Sequence, residues 1–247
     1  MTEPSSVAAP TAPTAPKGSF WEDLIDIYLS PAAVFRRNEY KSVWPPLLFV
    51  ALAIGVIFFF TFNTLQPIFD AEFAKGMAKA GPQAAQAPPE ALEKIKNASL
   101  NVTRYGLSVI ILVTVFVVGA VSWVLGKLVG SAQTFHAALV VAAWSYMPRV
   151  LGSVIGGVQG LLMDPASLTS QLSISLSPAR FMAPDTPNPI VYQLLGRLDL
   201  ITIWVTILLA IGLYVTGKVS KGRAATFGVL IWLVGALPVL RQAFMSM

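Results

Sequence analysis

The stretch SVWPPLLFVALAIGVIFFFTFNTLQPIF, residues 42–69, runs for 28 residues between Lys41 and Asp70 without a formal charge. A helix crossing a hydrocarbon core of ~30 Å needs about 20 mostly apolar residues. This run meets that length, and it is not alone. Arg104 to Lys127 encloses 22 uncharged residues, Lys127 to Arg149 encloses 21, Asp199 to Lys218 encloses 18 and Arg223 to Arg241 encloses 17. Five such windows in 247 residues, with 55% hydrophobic and 12% charged side chains, exclude a water-soluble globular domain and a disordered chain. A membrane β-barrel is excluded as well, because its strands are shorter and alternate in polarity. The fold class expected is an all-α, polytopic membrane helix bundle with about five spans, near 45–65, 105–129, 135–157, 200–216 and 224–240, within a domain over 42–241.

Outward from the first window, residues 1–18 read as a disordered Ala/Pro/Thr tail and 242–247 as a short C-terminal tail. Residues 19–41 read as two short amphipathic interfacial helices. In the first, Phe20, Trp21, Leu24, Ile25, Ile27 and Tyr28 form one broad apolar face, with Glu22, Asp23 and Asp26 on the other and Ser19 as N-cap. Its docking face is expected from Phe20, Trp21, Leu24, Ile27 and Tyr28. Ser30-Pro31 restarts a second helix, followed by Arg36, Arg37 and Lys41. Residues 66–104 form a polar connection of two short helices, broken at Gly81-Pro82 and Pro88-Pro89, the second running on into span two. Residues 164–199 form another, with a short extended stretch over Gln171–Ser177. Raw Lys/Arg counts tie at eight on each side, but the positives nearest the spans and in the short loop Lys218, Lys221, Arg223 favour a cytoplasmic N-terminus.

Candidate chemistry is sparse. With no cysteine and one histidine, His136, thiolate and multi-histidine metal sites are ruled out, and no cofactor or metal is expected. The net charge of +5 sits beside the spans rather than in a nucleic-acid patch. Gly212 to Lys218 spells part of a phosphate loop, but Val219 stands where Ser or Thr would hold Mg²⁺. The triplets at Asn97 and Asn101 match glycosylation sequons too close to a span to count. Pro148 predicts a kink in span three, and Arg149 beside it is the most informative charge. At mid-membrane it would cost roughly 2.5–3.5 kcal/mol unless paired. A structural role is the favoured reading, as a pair with Asp199 or as a residue brought near one interface by the kink, and a charge lining a polar cavity or binding a lipid phosphate is the other. Gly152, Gly156 and Gly160 recur every four residues, a stripe for close helix packing inside the bundle or for self-association.

Ile27-Tyr28-Leu29-Ser30-Pro31-Ala32-Ala33-Val34-Phe35, Ser145-Tyr146-Met147-Pro148, Gly196 to Trp204 and the basic turn from Lys218 to Arg223 together resemble the Ypt/Rab-interacting-protein (Yip) domain family of five-span membrane proteins, over about residues 19–241. The resemblance implies a cytosolic N-terminus and no enzymatic chemistry, with prenylated small GTPases as partners only in eukaryotic members. The short Ala/Pro/Thr tail points to a bacterial inner-membrane member. The function expected is a non-enzymatic scaffold or adaptor organising membrane partners or lipids. The alternative is a small transporter or channel component built on Arg149 and the Pro148 kink.

Overall fold

The computed structural model describes residues 18–81, 87–182 and 188–245, with backbone alone at 189 and 238–245. The tail expected over 1–18 lies outside these residues except for Gly18, as does Pro82 of the Gly81-Pro82 break, whereas residues 242–245 of the expected C-terminal tail continue the last helix. Every described regular element is helical. Two short helices, α1 (Phe20–Leu29) and α2 (Pro31–Asn38), precede α3 (Trp44–Thr61) and α4 (Gln66–Lys79). A single 40-residue helix, α5 (Pro89–Leu128), follows, then α6 (Phe135–Ser145) and α7 (Met147–Leu162). Three 3-10 turns (Pro165–Ser167, Gln171–Ile174 and Pro178–Phe181) lead to α8 (Pro189–Arg197), α9 (Leu200–Thr216) and α10 (Lys221–Met245).

Gln171–Ile174 thus winds into a turn rather than the extended stretch expected. Ser173 N–H donates to Ser170 O and Ser175 N–H to Leu172 O, so local backbone bonds outcompete a strand that has no partner.

Three elements are long and apolar enough to span a bilayer: α3 at mean hydropathy 2.1, α5 at 2.6, and α6–α7 together at 1.4. The pair α8–α9 joins them only as one span bent by 56°. The count among the described residues is therefore three, or four with that pair, against the five windows of the sequence. At 17 residues α9 alone is at the short limit of a span.

The α6–α7 column is the middle of the bundle, with 61% of its apolar window buried against 28% for α3 and α5. Thr134 caps α6 by accepting from Ala137 N–H. The helix breaks at Tyr146, and Pro148, which has no N–H to donate, falls in the first turn of α7, where none is needed. Trp144, Met147, Val140 and Val141 are buried there among α3, α5 and α9. Glycines set the closest approaches. A Cβ on Gly119 would lie 2.6 Å from Leu139 Cδ2, and one on Gly212 would collide with Val141 Cγ1. Without a hydrophobic drive in lipid, such close packing is what holds helices together.

One end of the bundle is basic. Arg36, Lys41, Lys127, Lys218, Lys221 and Arg223 are all exposed there. The loops of that end are knitted by Ala132 N–H to Gly217 O (3.0 Å), Gln133 Nε2 to Thr216 Oγ1 (2.6 Å) and Lys127 Nζ to Gln133 O (2.9 Å). His136 Nε2 lies 2.9 Å from Lys41 O, a polar contact at an exposed loop.

Candidate functional site

Two assemblies gather the residues singled out in the sequence. The first is a helical hairpin made by α1 and α2. Ser19 and Glu22 form a capping box, with Ser19 N–H donating to Glu22 Oε2 (2.8 Å) and Glu22 N–H to Ser19 Oγ (3.2 Å). Phe20 packs edge-on to Phe49 (5.8 Å) and against Trp144 (5.7 Å), while Tyr28 meets Trp204 (5.5 Å) and donates to Met147 O (3.1 Å). Ile27, Val34 and Phe35 are fully buried, and Leu24 packs against the same core. Met147 stands twelve residues past Phe135, and Trp204 twelve before Thr216, so the hairpin tip reaches ~18 Å along both neighbours from the basic end.

The faces of α1 are not those of the helical wheel. Asp23, read as part of a solvated acidic face, is 1% exposed. It accepts from Arg37 Nε (3.0 Å) and Nη2 and from Asn38 Nδ2 (2.8 Å). Arg37 also bonds Asp26, and these bonds hold its guanidinium above the usual arginine range. Trp21, Ile25 and Leu29, spaced by four, are instead 69%, 63% and 75% exposed. The broad apolar face splits in two, with charge turned inward and a hydrophobic stripe outward. A local wheel cannot show this, because the partner that neutralises Asp23 lies 14 residues away in α2.

The second assembly surrounds Arg149. Two cavities of about 370 Å³ each share Ile54, Arg149, Gly152, Ser153, Gln171 and Ile174. One extends to Gly196, Asp199 and Thr202, the other to Thr61, Thr103 and Gly157. Arg149 lies over the Tyr146 ring at 5.4 Å. Asp199 shares its cavity, yet forms no ion pair with it. Its Oδ2 caps α9, accepting from Thr202 N–H (2.9 Å) and Thr202 Oγ1 (3.1 Å), and its Oδ1 accepts from Leu176 N–H (3.0 Å). An N-cap carboxylate is the stronger local claim on that residue.

The glycine stripe packs inside the chain. A Cβ on Gly152 would meet Ile201, one on Gly156 Ile174, one on Gly157 Thr61 and one on Gly160 Leu65, so the stripe is occupied by α3, the turn that follows it, α9 and the Gln171–Ile174 turn. Pro148 opens α7 just before it.

A third feature had no signal in the sequence. Ala32, Thr206, Ala210, Tyr214, Lys221, Ala225, Gly228 and Trp232 line an almost wholly apolar groove of about 650 Å³ between α2, α9 and α10. Its residues come from three separate segments, so no spacing rule marks them. Among the described residues no group of three or more His, Cys, Asp or Glu could hold a metal ion.

Comparison with known proteins agrees with this architecture. A family model described as the Yip1 domain matches residues 25–240. The chain is 23% identical over 221 residues to Membrane protein YknW of Bacillus subtilis (strain 168), covering 84% of this chain and 86% of that protein. No solved structure matches.

Proposed function

Because the chain belongs to the Yip1 domain family, and is an integral membrane protein, we propose that it acts as a non-enzymatic scaffold that gathers membrane partners within the bilayer. The supporting observation is the groove between α2, α9 and α10. Ala32, Ala210 and Ala225 line it with small side chains, and small residues allow two helix backbones to approach closely. Exposed Lys221 lies at its basic end, where it would meet an acidic residue just outside a partner's span. The occupant is a transmembrane helix of another protein.

We place the chain in a bacterial inner membrane, N-terminus in the cytoplasm. The relative from Bacillus supports the first part, and the six exposed cations at the end where α3 begins support the second.

The test is site-specific photocrosslinking from position 225 in native membranes. The expected result is a discrete adduct, identified by mass spectrometry as a membrane-spanning protein, that is lost in Val229→Trp, which puts a bulky ring at an exposed position of the groove, and weakened in Lys221→Glu. Adducts with lipid alone, or an adduct indifferent to both substitutions, would refute the scaffold reading.

A further inference from the structure

We propose that the cavity at Arg149 is a binding site for a phosphate group carrying a single negative charge, seated at the end of the bundle opposite the basic loops. The charge balance is the first reason. An arginine in an apolar helix is costly unless something neutralises it. Among the described residues no carboxylate lies within ion-pair distance of Arg149, whose guanidinium rests over the Tyr146 ring. Asp199 is the acid lining the same cavity, and three donors already engage it.

Arg197, two residues before Asp199, lines neither cavity. Its own guanidinium is pinned away from the cavity by Trp232, whose O accepts from Arg197 Nη2 (3.1 Å). Arg149 is therefore the cation that lines the cavity, and Asp199, the acid beside it, is turned to its own helix N-terminus and to Leu176 N–H. At low local dielectric such a charge attracts an anion strongly.

The available donors fit phosphate. The planar guanidinium fork matches two phosphate oxygens. Gln171, exposed at the edge of the cavity, has a side-chain amide with no protein partner among the described residues, and its backbone N–H donates to Glu72 Oε1 (3.4 Å). Ser153 and Ser175, by contrast, donate to Val150 O and Leu172 O.

The depth fits too. Asp199 begins α9, whose other end is the loop to Lys218, so the cavity lies toward the end of the bundle away from the basic loops. Ile54, Ile111 and Ile201 line its apolar side, where a glycerol or acyl portion would rest. This site shares no residue with the groove of α9 and α10 and does not depend on the scaffold reading.

The experiment titrates purified full-length protein in detergent, read by thermal stability and native mass spectrometry. Phosphatidylglycerol is compared with diacylglycerol, which lacks the phosphate, and with inorganic phosphate and glycerol 3-phosphate as soluble probes. Wild type should bind at least one phosphate probe, and Arg149→Gln should weaken that binding about tenfold or more, the scale of one charge-assisted hydrogen bond. Arg149→Lys, which keeps the charge and loses the fork, covers the case in which the first variant does not fold, and it should fall between the two. Lys94→Gln, at an exposed position of α5 outside both cavities and the groove, should leave binding unchanged. Selective binding of phosphatidylglycerol identifies a lipid headgroup, and equal binding of the soluble probes identifies a free phosphate ester. Binding of no probe, no preference over diacylglycerol with no soluble binding, or binding that survives both Arg149 substitutions overturns the proposal.

Discussion

Asp23→Ala should undock the N-terminal hairpin from the bundle. The carboxylate is 1% exposed and accepts three hydrogen bonds, two from Arg37 and one from Asn38. Removing one partner of a buried ion pair costs as much as 3–5 kcal/mol, because the remaining charge stays buried. Here the penalty is smaller. Arg37 keeps Asp26 and is 20% exposed, so water reaches it, and Asn38 Nδ2 keeps Val34 O at 2.9 Å. About 2–3 kcal/mol is then expected, in the range for lost hydrogen bonds to a charged group. That corresponds to about 30- to 150-fold more of the open hairpin. The chain has no cysteine, so Val34→Cys, at a fully buried position, supplies a single reporter. Maleimide labelling in native membranes then follows the open population when reclosing is fast. The Asp23→Ala background should label about 30-fold faster or more. Arg37→Ala should not add its full effect to Asp23→Ala, since both remove the same contact. Labelling within about threefold of the parent, well below one decade per 1.4 kcal/mol, would refute the role given to Asp23.

Three further outcomes follow from particular contacts. Ile25→Lys, on the exposed stripe, should also speed labelling of Val34→Cys if that stripe faces acyl chains, where a lysine costs up to about 2.5–3.5 kcal/mol; a change within about 0.5 kcal/mol would put the stripe in water. Gly212→Ala forces a methyl into Val141, a buried β-branched side chain with little rotamer freedom, and should destabilise by about 1–3 kcal/mol in detergent thermal unfolding, whereas Gly222→Ala, with nothing within 4 Å, should be neutral or stabilising by up to about 1 kcal/mol. Tyr28→Phe removes the donor to Met147 O while keeping the ring on Trp204, and should cost about 1 kcal/mol in the same assay.

The long helices were legible because their signal is local. A run of apolar residues bounded by charge identifies α3 and the second half of α5 without reference to any neighbour, and the proline at 148 marks the break between α6 and α7 in the same way. The family was legible too, since the short patterns around Tyr28-Leu29-Ser30-Pro31 and Gly196 to Trp204 belong to the stretch that the Yip1 domain model matches. The candidate site was legible only as a list. Arg149, Asp199 and the glycines were singled out, but not which of them would touch.

What the sequence determined by itself is that this chain lives in a membrane, as helices, with very few charges left for chemistry. Tertiary structure decided where those charges go. Asp23 lies inside because Arg37 and Asn38 arrive from the next helix, and Trp21, Ile25 and Leu29 consequently turn outward. Asp199 caps its own helix and leaves Arg149 to a cavity, although spacing alone made the two a natural pair. The physical reason is the same in both cases. Hydrophobicity is a property of one segment and can be read from it, whereas the compensation of a buried charge requires a second group whose position only the packed chain fixes.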